Sequence, residues 1–380
     1  MNALSPLPAP PALAISPRLR RTPFSARVEA AGVRSYTVYN RMLLPTAFQG
    51  LEEDYWHLRE HVQLWDVSAE RQVEISGPDA SRLAQMLTPR NLSKIAVGQC
   101  AYAPITDGTG GILNDPVLLR LGKERFWLSI ADSDLVLWVK GLAYGMGLSV
   151  DVFEPDVHPL AVQGPKADLL MERVFGPIVR EIRFFRFKPL EFEGHQLVVA
   201  RSGWSKQGGF EIHLDRPELG HKLWDVLWEA GEDLSVAAGC PNLIERIEGG
   251  LLSYGNDMTR DHTPLECGLE RFCALDGDIE FVGRAALRKQ RTKGIPRMVR
   301  GLIFGGPRCP AQVEPWLVTA GDTAVGQISS AVYSPALEAN IAIAMIATGH
   351  EEPGTAVTVQ TPVGPAEAEV RTLPFDVPPI

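Results

Sequence analysis

Trp204, Lys206, Gln207 and Glu211 fall within "ARSGWSKQGGFEIHL", residues 200–214, around the paired glycines 208 and 209. A plain hairpin would need only the glycines. An indole, an ammonium and a carboxylate beside a bend suit a flat, polar ligand, and glycine lets backbone and ligand approach closely. A second stretch, "TDGTGGILNDP" (106–116), is a tight glycine turn followed by Asn114 and Asp115. It reads either as a hairpin turn with an Asx cap or as an amide and a carboxylate held beside a bound ring. It does not match G-x-G-x-x-G before a helix, which argues against a dinucleotide site. A third, "YGNDMTRDHTPLECGLERF" (254–272), is long, polar and poorly periodic. Functional loops look like this, and so do surface connections. His262 has no partner at metal-ligand spacing and reads as an exposed loop residue. His57 and His61 sit at i, i+4 without the glutamate of H-E-x-x-H, so no metal is expected. With no G-x-S-x-G elbow and no P-loop, the sequence lacks the machinery of hydrolysis, phosphoryl transfer or hydride transfer.

These groups need elements to position them. "VEISGPDASRLAQML" (73–87) is echoed by "PLAVQGPKADLLMERVF" (159–175), the glycines Gly77 and Gly164 lying 87 positions apart. Each reads as an apolar strand, a Gly-Pro stop and an amphipathic helix, since proline's fixed φ suits a first helical turn. The echo implies a duplicated strand–helix unit. "RFWLSIA" (125–131) and "QLVVARS" (196–202) have strand composition. "RPELGHKLWDVLWEAGEDL" and "NLIERIEGGLLSYG" (242–255) read as helices. The basic stretch "LRKQRTKGIPR" (287–297) reads as a linker. Beyond it, "MVRGLIF", "AVGQISSAVYS", "NIAIAMIA" and "TAVTVQT" are short strands between glycines and prolines, the pattern of a small all-β barrel or sandwich.

At 380 residues the chain exceeds one ordinary core, and two or three packed units are expected. Its 37 basic and 46 acidic residues leave a formal charge of −9, which argues against a nucleic-acid or anionic-membrane partner. No apolar run is long enough to span a bilayer. Five scattered cysteines without a C-x-x-C pair fit a reducing cytosol, and so a cytoplasmic protein. The proline-rich start, "MNALSPLPAPPALAISPRLRR", lacks the positive beginning of a signal peptide. A disordered leader is expected over residues 1–30.

Five stretches in this order, "LWDVSAERQVEISGPDA", "GGILNDP", "SGWSKQGGFEI", "ERIEGGLLSYGNDMTRDHTPLECGL" and "FVGRAAL", resemble the glycine-cleavage T-protein (aminomethyltransferase) family. The resemblance covers about 35–374. It departs at Trp204-Ser-Lys-Gln-Gly-Gly, where a Tyr-Thr-Gly-Glu-Asp-Gly run is usual, and at Asn114-Asp115, where paired aspartates are usual. "RRTPFSARVEAAGVRSYTVYNRMLLPTAF", "RSGWSKQGGFEI" and "NDMTRDHTPLECGL" resemble members that take a methyl group from a sulfonium donor. The resemblance implies an α+β fold of three domains, a cloverleaf around a central folate channel. Residues 31–285 would form a folate-binding region of two related α+β subdomains, and 286–380 the C-terminal β-barrel. The implied cofactor is tetrahydrofolate, with Tyr102, Phe185, Trp204, Glu211 and Tyr254 binding it and Glu211 accepting from the pterin N–H groups. Trp204, Lys206 and His213 would meet the small-molecule sulfonium substrate, a tyrosine being usual at position 213, and Asp115 is the catalytic candidate. A homodimer is compatible with the family. Two alternatives stay open: a related transferase using another methyl or aminomethyl donor, and a folate-binding protein with a reactive cysteine, for which Cys240, Cys267 and Cys273 are candidates.

Overall fold

The computed structural model describes residues 14–310 and 312–379. Two antiparallel-rich sheets and a closed barrel organise them. The first sheet runs Asp151–Phe153, Gln72–Ser76, Arg125–Ser129, Val117–Gly122, Cys100–Tyr102. The second runs Phe187–Phe192, His195–Ala200, Gly209–Leu214, His158–Gln163, Val62–Asp66, Val236–Gly239, its last strand pairing in parallel.

Strand alternation assigns the faces. On the first sheet Val73, Ile75, Ala101, Phe126 and Leu128 pack under the helices Ala80–Leu87 and Leu135–Met146. On the second, Leu64, Val162, Phe210 and Ile212 pack under Ala167–Phe175 and Gly220–Gly231. The residues between them in sequence therefore turn the other way. There Cys100, Leu119 and Trp127 of the first sheet meet Phe187 and Ala200 of the second. The result is helix, sheet, sheet, helix, with the inner faces opposed. Phe185, in left-handed conformation at φ 57, joins the two sheets: its carbonyl accepts from the Cys100 N–H at 2.9 Å and its N–H donates to Arg201 O at 2.9 Å.

The internal echo is repeated in geometry. Gly77 and Gly164 adopt φ of +116 and +124. Each carbonyl accepts the first helical N–H, from Ala80 and Ala167, both at 3.0 Å. Each glycine lies against a neighbouring backbone. A Cβ at Gly77 would stand 2.9 Å from Ser149 O, and one at Gly164 2.3 Å from His61 O.

The C-terminal strands close a six-stranded barrel in the order Arg297–Phe304, Ala339–Ala347, Thr323–Ser334, Trp316–Ala320, Ala356–Thr361, Gly364–Arg371. Its outer residues Val332, Ile341 and Ile343 cover Ile244, Ile247 and Tyr55 of the first region.

Three expectations are corrected. Residues 1–13 lie outside the described residues, but the leader does not extend to 30: Ser25–Ala30 is helical, and Phe24 and Val28 are buried in the second sheet's core. The linker at 287–297 is mostly the helix Arg284–Lys293, whose Leu287 packs on Leu265, Leu275 and Phe281. A boundary at 285/286 would cut that helix, and the barrel begins at Arg297. The helix expected over 242–255 spans only Leu243–Glu248, because Gly249 caps it and Gly250 takes φ +62.

Candidate active site

Tyr102 alternates with the core residue Ala101, and Glu211 with Phe210 and Ile212, so both face the layer between the sheets. Tyr102 donates its phenol proton to Asp115 Oδ2 at 2.9 Å. Asp115 follows the short hairpin Ile105–Thr106/Ile112–Asn114. Burial pushes the Asp115 carboxyl up to about 7, against the Tyr102 hydrogen bond and a backbone N–H that both favour its charge. Glu211 accepts from the Ser202 hydroxyl, and burial raises it as well. Glu70, in the turn that passes from the second sheet to the first, is raised well above the ordinary carboxylate range: first by burial, then by the charges of Glu211 and Asp115. Tyr39 is raised by burial and next by Glu70 and Asp115, and Tyr254 by burial and next by Asp115. Three carboxyls and three phenols thus share one neighbourhood, deep in the fold. Glu70, missed in the sequence, stands in "LWDVSAERQVEIS" with nothing in its spacing to mark it.

The neighbouring Asn114 is structural. Fully buried, it donates to Ala131 O at 3.0 Å and Ser133 Oγ at 2.9 Å, and accepts from the Ala131 N–H. Asp107 closes the hairpin turn by accepting from Thr109 and Gly111 N–H. The loop 254–272 is pinned to this hairpin through Ile112 N–H and His262 O at 2.9 Å. His262 is half-buried rather than exposed, its Nδ1 accepting from Thr259 N–H.

His213 is buried on the inner face, two residues beyond Glu211, stacked on Trp127 with centroids 5.8 Å apart. Burial lowers it to about 4, and its Nδ1 has no partner among the described residues. At neutral pH it adds no positive charge. Phe185 lines the same inter-sheet layer, 4.7 Å from the Phe184 ring.

Trp204 lies with the Arg246 guanidinium 5.8 Å from its ring. That arginine is held by Asp257 Oδ2 at 2.8 Å and donates to the barrel's Ser330 Oγ at 2.6 Å. One face of the indole therefore already carries a cation. Lys206 is exposed, its stem over Gly249. Its backbone N–H donates to Glu245 Oε1 at 2.5 Å, and among the described residues its ammonium makes no hydrogen bond or ion pair with Asp115, Glu211 or Glu70. The paired glycines serve the scaffold as much as a ligand. A Cβ at Gly209 would stand 2.1 Å from Val162 O, and only Gly208 has open space. Ser205 and Gly203 lie against Gln163, which ties this loop to the second sheet.

A cleft of about 310 Å³ at the barrel, between Phe304 and Glu367, contains none of these residues. Chemistry follows the buried carboxyls instead. The thiol alternative is disfavoured: burial pushes Cys240 and Cys267 well up and Cys273 up to about 12, which keeps each thiol protonated.

Acceptor carboxyls and aromatic walls suit a ring rich in N–H donors together with a cationic reactant, so the residues present fit a reduced pterin. Two α+β units and a closed barrel around such a group define a T-protein-type one-carbon enzyme. The model of the GCVT N-terminal domain matches residues 24–277, and that of the glycine cleavage T-protein C-terminal barrel domain matches 298–376. The chain belongs to the glycine-cleavage T-protein (aminomethyltransferase) family. It is 55% identical over 356 residues to the dimethylsulfoniopropionate demethylase DmdA of Ruegeria pomeroyi, covering 94% of this chain and 97% of that one. It is 30% identical to an aminomethyltransferase of Desulfitobacterium hafniense over 90% of this chain and 93% of the other. The crystal structure of aminomethyltransferase T of the Bartonella henselae glycine cleavage system superposes with a TM-score of 0.85 at 24% identity, over 94% of this chain and 98% of that one, which shows the shared fold.

Proposed function

We propose that this chain transfers a methyl group from dimethylsulfoniopropionate to N5 of tetrahydrofolate, giving 3-(methylthio)propanoate and 5-methyltetrahydrofolate. The observation that carries the reading is the 55% identity, nearly end to end, to a protein named for that demethylation. When bound, tetrahydrofolate supplies N5 as the nucleophile. The chain's own groups hold, orient and exclude water. Glu211 accepts from the pterin N–H groups, a charge-assisted contact worth about 1.5–3 kcal/mol. Tyr102, Phe185 and Tyr254 wall the ring. A sulfonium methyl is already activated and its thioether leaves neutral, so no strong acid is required. Catalysis rests on alignment in a dry site. A sulfonium bound beside Asp115, whose orientation Tyr102 holds, would draw that carboxyl, and Glu70 and Glu211 with it, back toward the charged form that burial disfavours. A neutral His213 places no like charge against a sulfonium. Trp204 offers its second face to the cation, for about 2 kcal/mol when water is excluded.

All five cysteines are free thiols, consistent with a cytosolic setting. No helix among the described residues is long and apolar enough to cross a membrane. The assembly we carry forward is a homodimer, which light scattering of the purified chain decides.

The test is the purified protein with tetrahydrofolate and dimethylsulfoniopropionate. Stoichiometric 5-methyltetrahydrofolate and 3-(methylthio)propanoate are expected. Absence of both products, with turnover of an aminomethyl or other methyl donor instead, overturns the reading.

A further inference from the structure

Phe272 carries two arginines. The Arg271 guanidinium carbon lies 4.7 Å from its ring centroid and that of Arg90 5.0 Å. The other neighbour of the ring is Tyr102, at 5.0 Å, whose hydroxyl reaches Asp115. A continuous line therefore runs from the buried carboxyl, through two stacked aromatics, to a pair of guanidiniums. The pair is assembled by tertiary structure: Arg90 stands on the loop after the helix Ala80–Leu87, Arg271 on the short turn Glu270–Phe272, and Pro89 O accepts from Ala274 N–H at 2.9 Å to hold the segments together.

Among the described residues neither guanidinium makes a hydrogen bond or an ion pair. The other arginines near the two sheets mostly do: Arg71 with Glu154, Arg125 with Glu74, Arg201 with Asp168. Arg90 is half-buried, and its proton affinity is lowered by burial and then by Arg271 itself. Two like charges held against one ring, one of them partly desolvated and both unpaired, are costly unless an anion joins them. Guanidinium forks match carboxylates bidentately.

We infer that Arg90 and Arg271, held on Phe272, form a carboxylate-binding site at the outer end of the folate-binding layer, receiving the glutamyl tail of tetrahydrofolate. The inference rests on the proposed folate-dependent reading and extends it. Both reactants of that reading carry carboxylates. The outward position, with Arg271 exposed and the aromatic stack between it and Asp115, favours the long tail over the short donor.

The test is calorimetric binding to the whole chain, comparing tetrahydropteroate, which has no glutamate, with tetrahydrofolate and its triglutamate. Wild type is expected to bind the glutamylated forms more tightly. Arg90→Gln with Arg271→Gln is expected to weaken those two by about tenfold or more while leaving tetrahydropteroate within about twofold. Single variants should each lose part of the effect, which covers the case of a double variant that does not fold. If the double variant instead weakens only dimethylsulfoniopropionate, the site is a carboxylate site serving the donor and the assignment to the tail is overturned. If glutamylated and unglutamylated ligands bind alike in wild type and variants, there is no carboxylate site at all. Turnover of wild type is scored separately. A chain that binds folate in this pattern but leaves the sulfonium donor untouched keeps the site and loses the proposed reaction, whereas normal demethylation with no glutamate preference does the reverse.

Discussion

Asp115 is where burial and charge meet most directly. Its carboxyl is raised to about 7, from about 3.9 in an unfolded chain. The folded protein therefore holds a proton that the unfolded one releases between about pH 4 and pH 7. By linkage this contribution favours folding at low pH and is lost as pH rises through 7. Asp115→Asn removes that slope. Its melting temperature relative to wild type is expected to be higher at pH 8 than at pH 5, since each tenfold difference in proton affinity between folded and unfolded chain is worth about 1.4 kcal/mol. An unchanged difference between the two pH values would show that the carboxyl is already ionised at pH 5. Trp204→Ala addresses the cation. With one indole face beside Arg246, the other is left for a sulfonium. Donor affinity by calorimetry should fall roughly 30-fold, the equivalent of about 2 kcal/mol, at an unchanged melting temperature. Undiminished affinity would assign the donor to the carboxyls Glu70, Asp115 and Glu211 instead.

At the scale of elements, the repeated strand–glycine–helix unit is the device that brings the two sheets to their places. At Gly164 a side chain meets both a positive φ and the His61 carbonyl. Gly164→Ala is expected to cost about 3 kcal/mol in denaturant unfolding. Gly32→Ala, at φ +85 with nothing within 4 Å, should cost only about 1 kcal/mol. Equal costs would mean that the close approach to the neighbouring strand contributes nothing. The echo was readable because proline and glycine punctuate it identically in both copies. The helix Arg284–Lys293 was not readable: its run of arginines and lysines looks like a solvated linker, and only Leu287 packing on Phe281 shows that one face is buried.

Across the whole molecule the barrel reaches back to the loop that carries Trp204. Asp257 is fully buried and accepts from Arg246, from the Ser253 N–H, and from the barrel hydroxyls of Ser329 and Ser330 at 2.7 and 2.6 Å. Asp257→Asn strands the buried Arg246 without a counter-charge and should cost about 3–5 kcal/mol. Arg246→Met should cost less, because Asp257 keeps three other donors. Melting curves of the two variants decide this, and the reverse order would show that the arginine is satisfied without Asp257. The same asymmetry carries a functional consequence: both variants release the indole, so donor affinity should fall even in Arg246→Met.

From residue order alone the repeated strand–helix unit and the β unit at the end were legible, since each is written in local spacing: strand alternation, helical period, glycine and proline stops; the family and its α+β fold were legible through the resemblance of five longer stretches. Glu211, Asp115 and Tyr102 were site candidates by that resemblance. Their convergence was not legible, because it depends on which face of each strand turns inward and on two sheets meeting. Glu70, the Arg90–Arg271 pair and the hold of Arg246 on Trp204 appear only in three dimensions. Each joins residues far apart in the chain, and burial, which raises the carboxyls and strips the arginine of water, is a property of the packed molecule that no single segment carries.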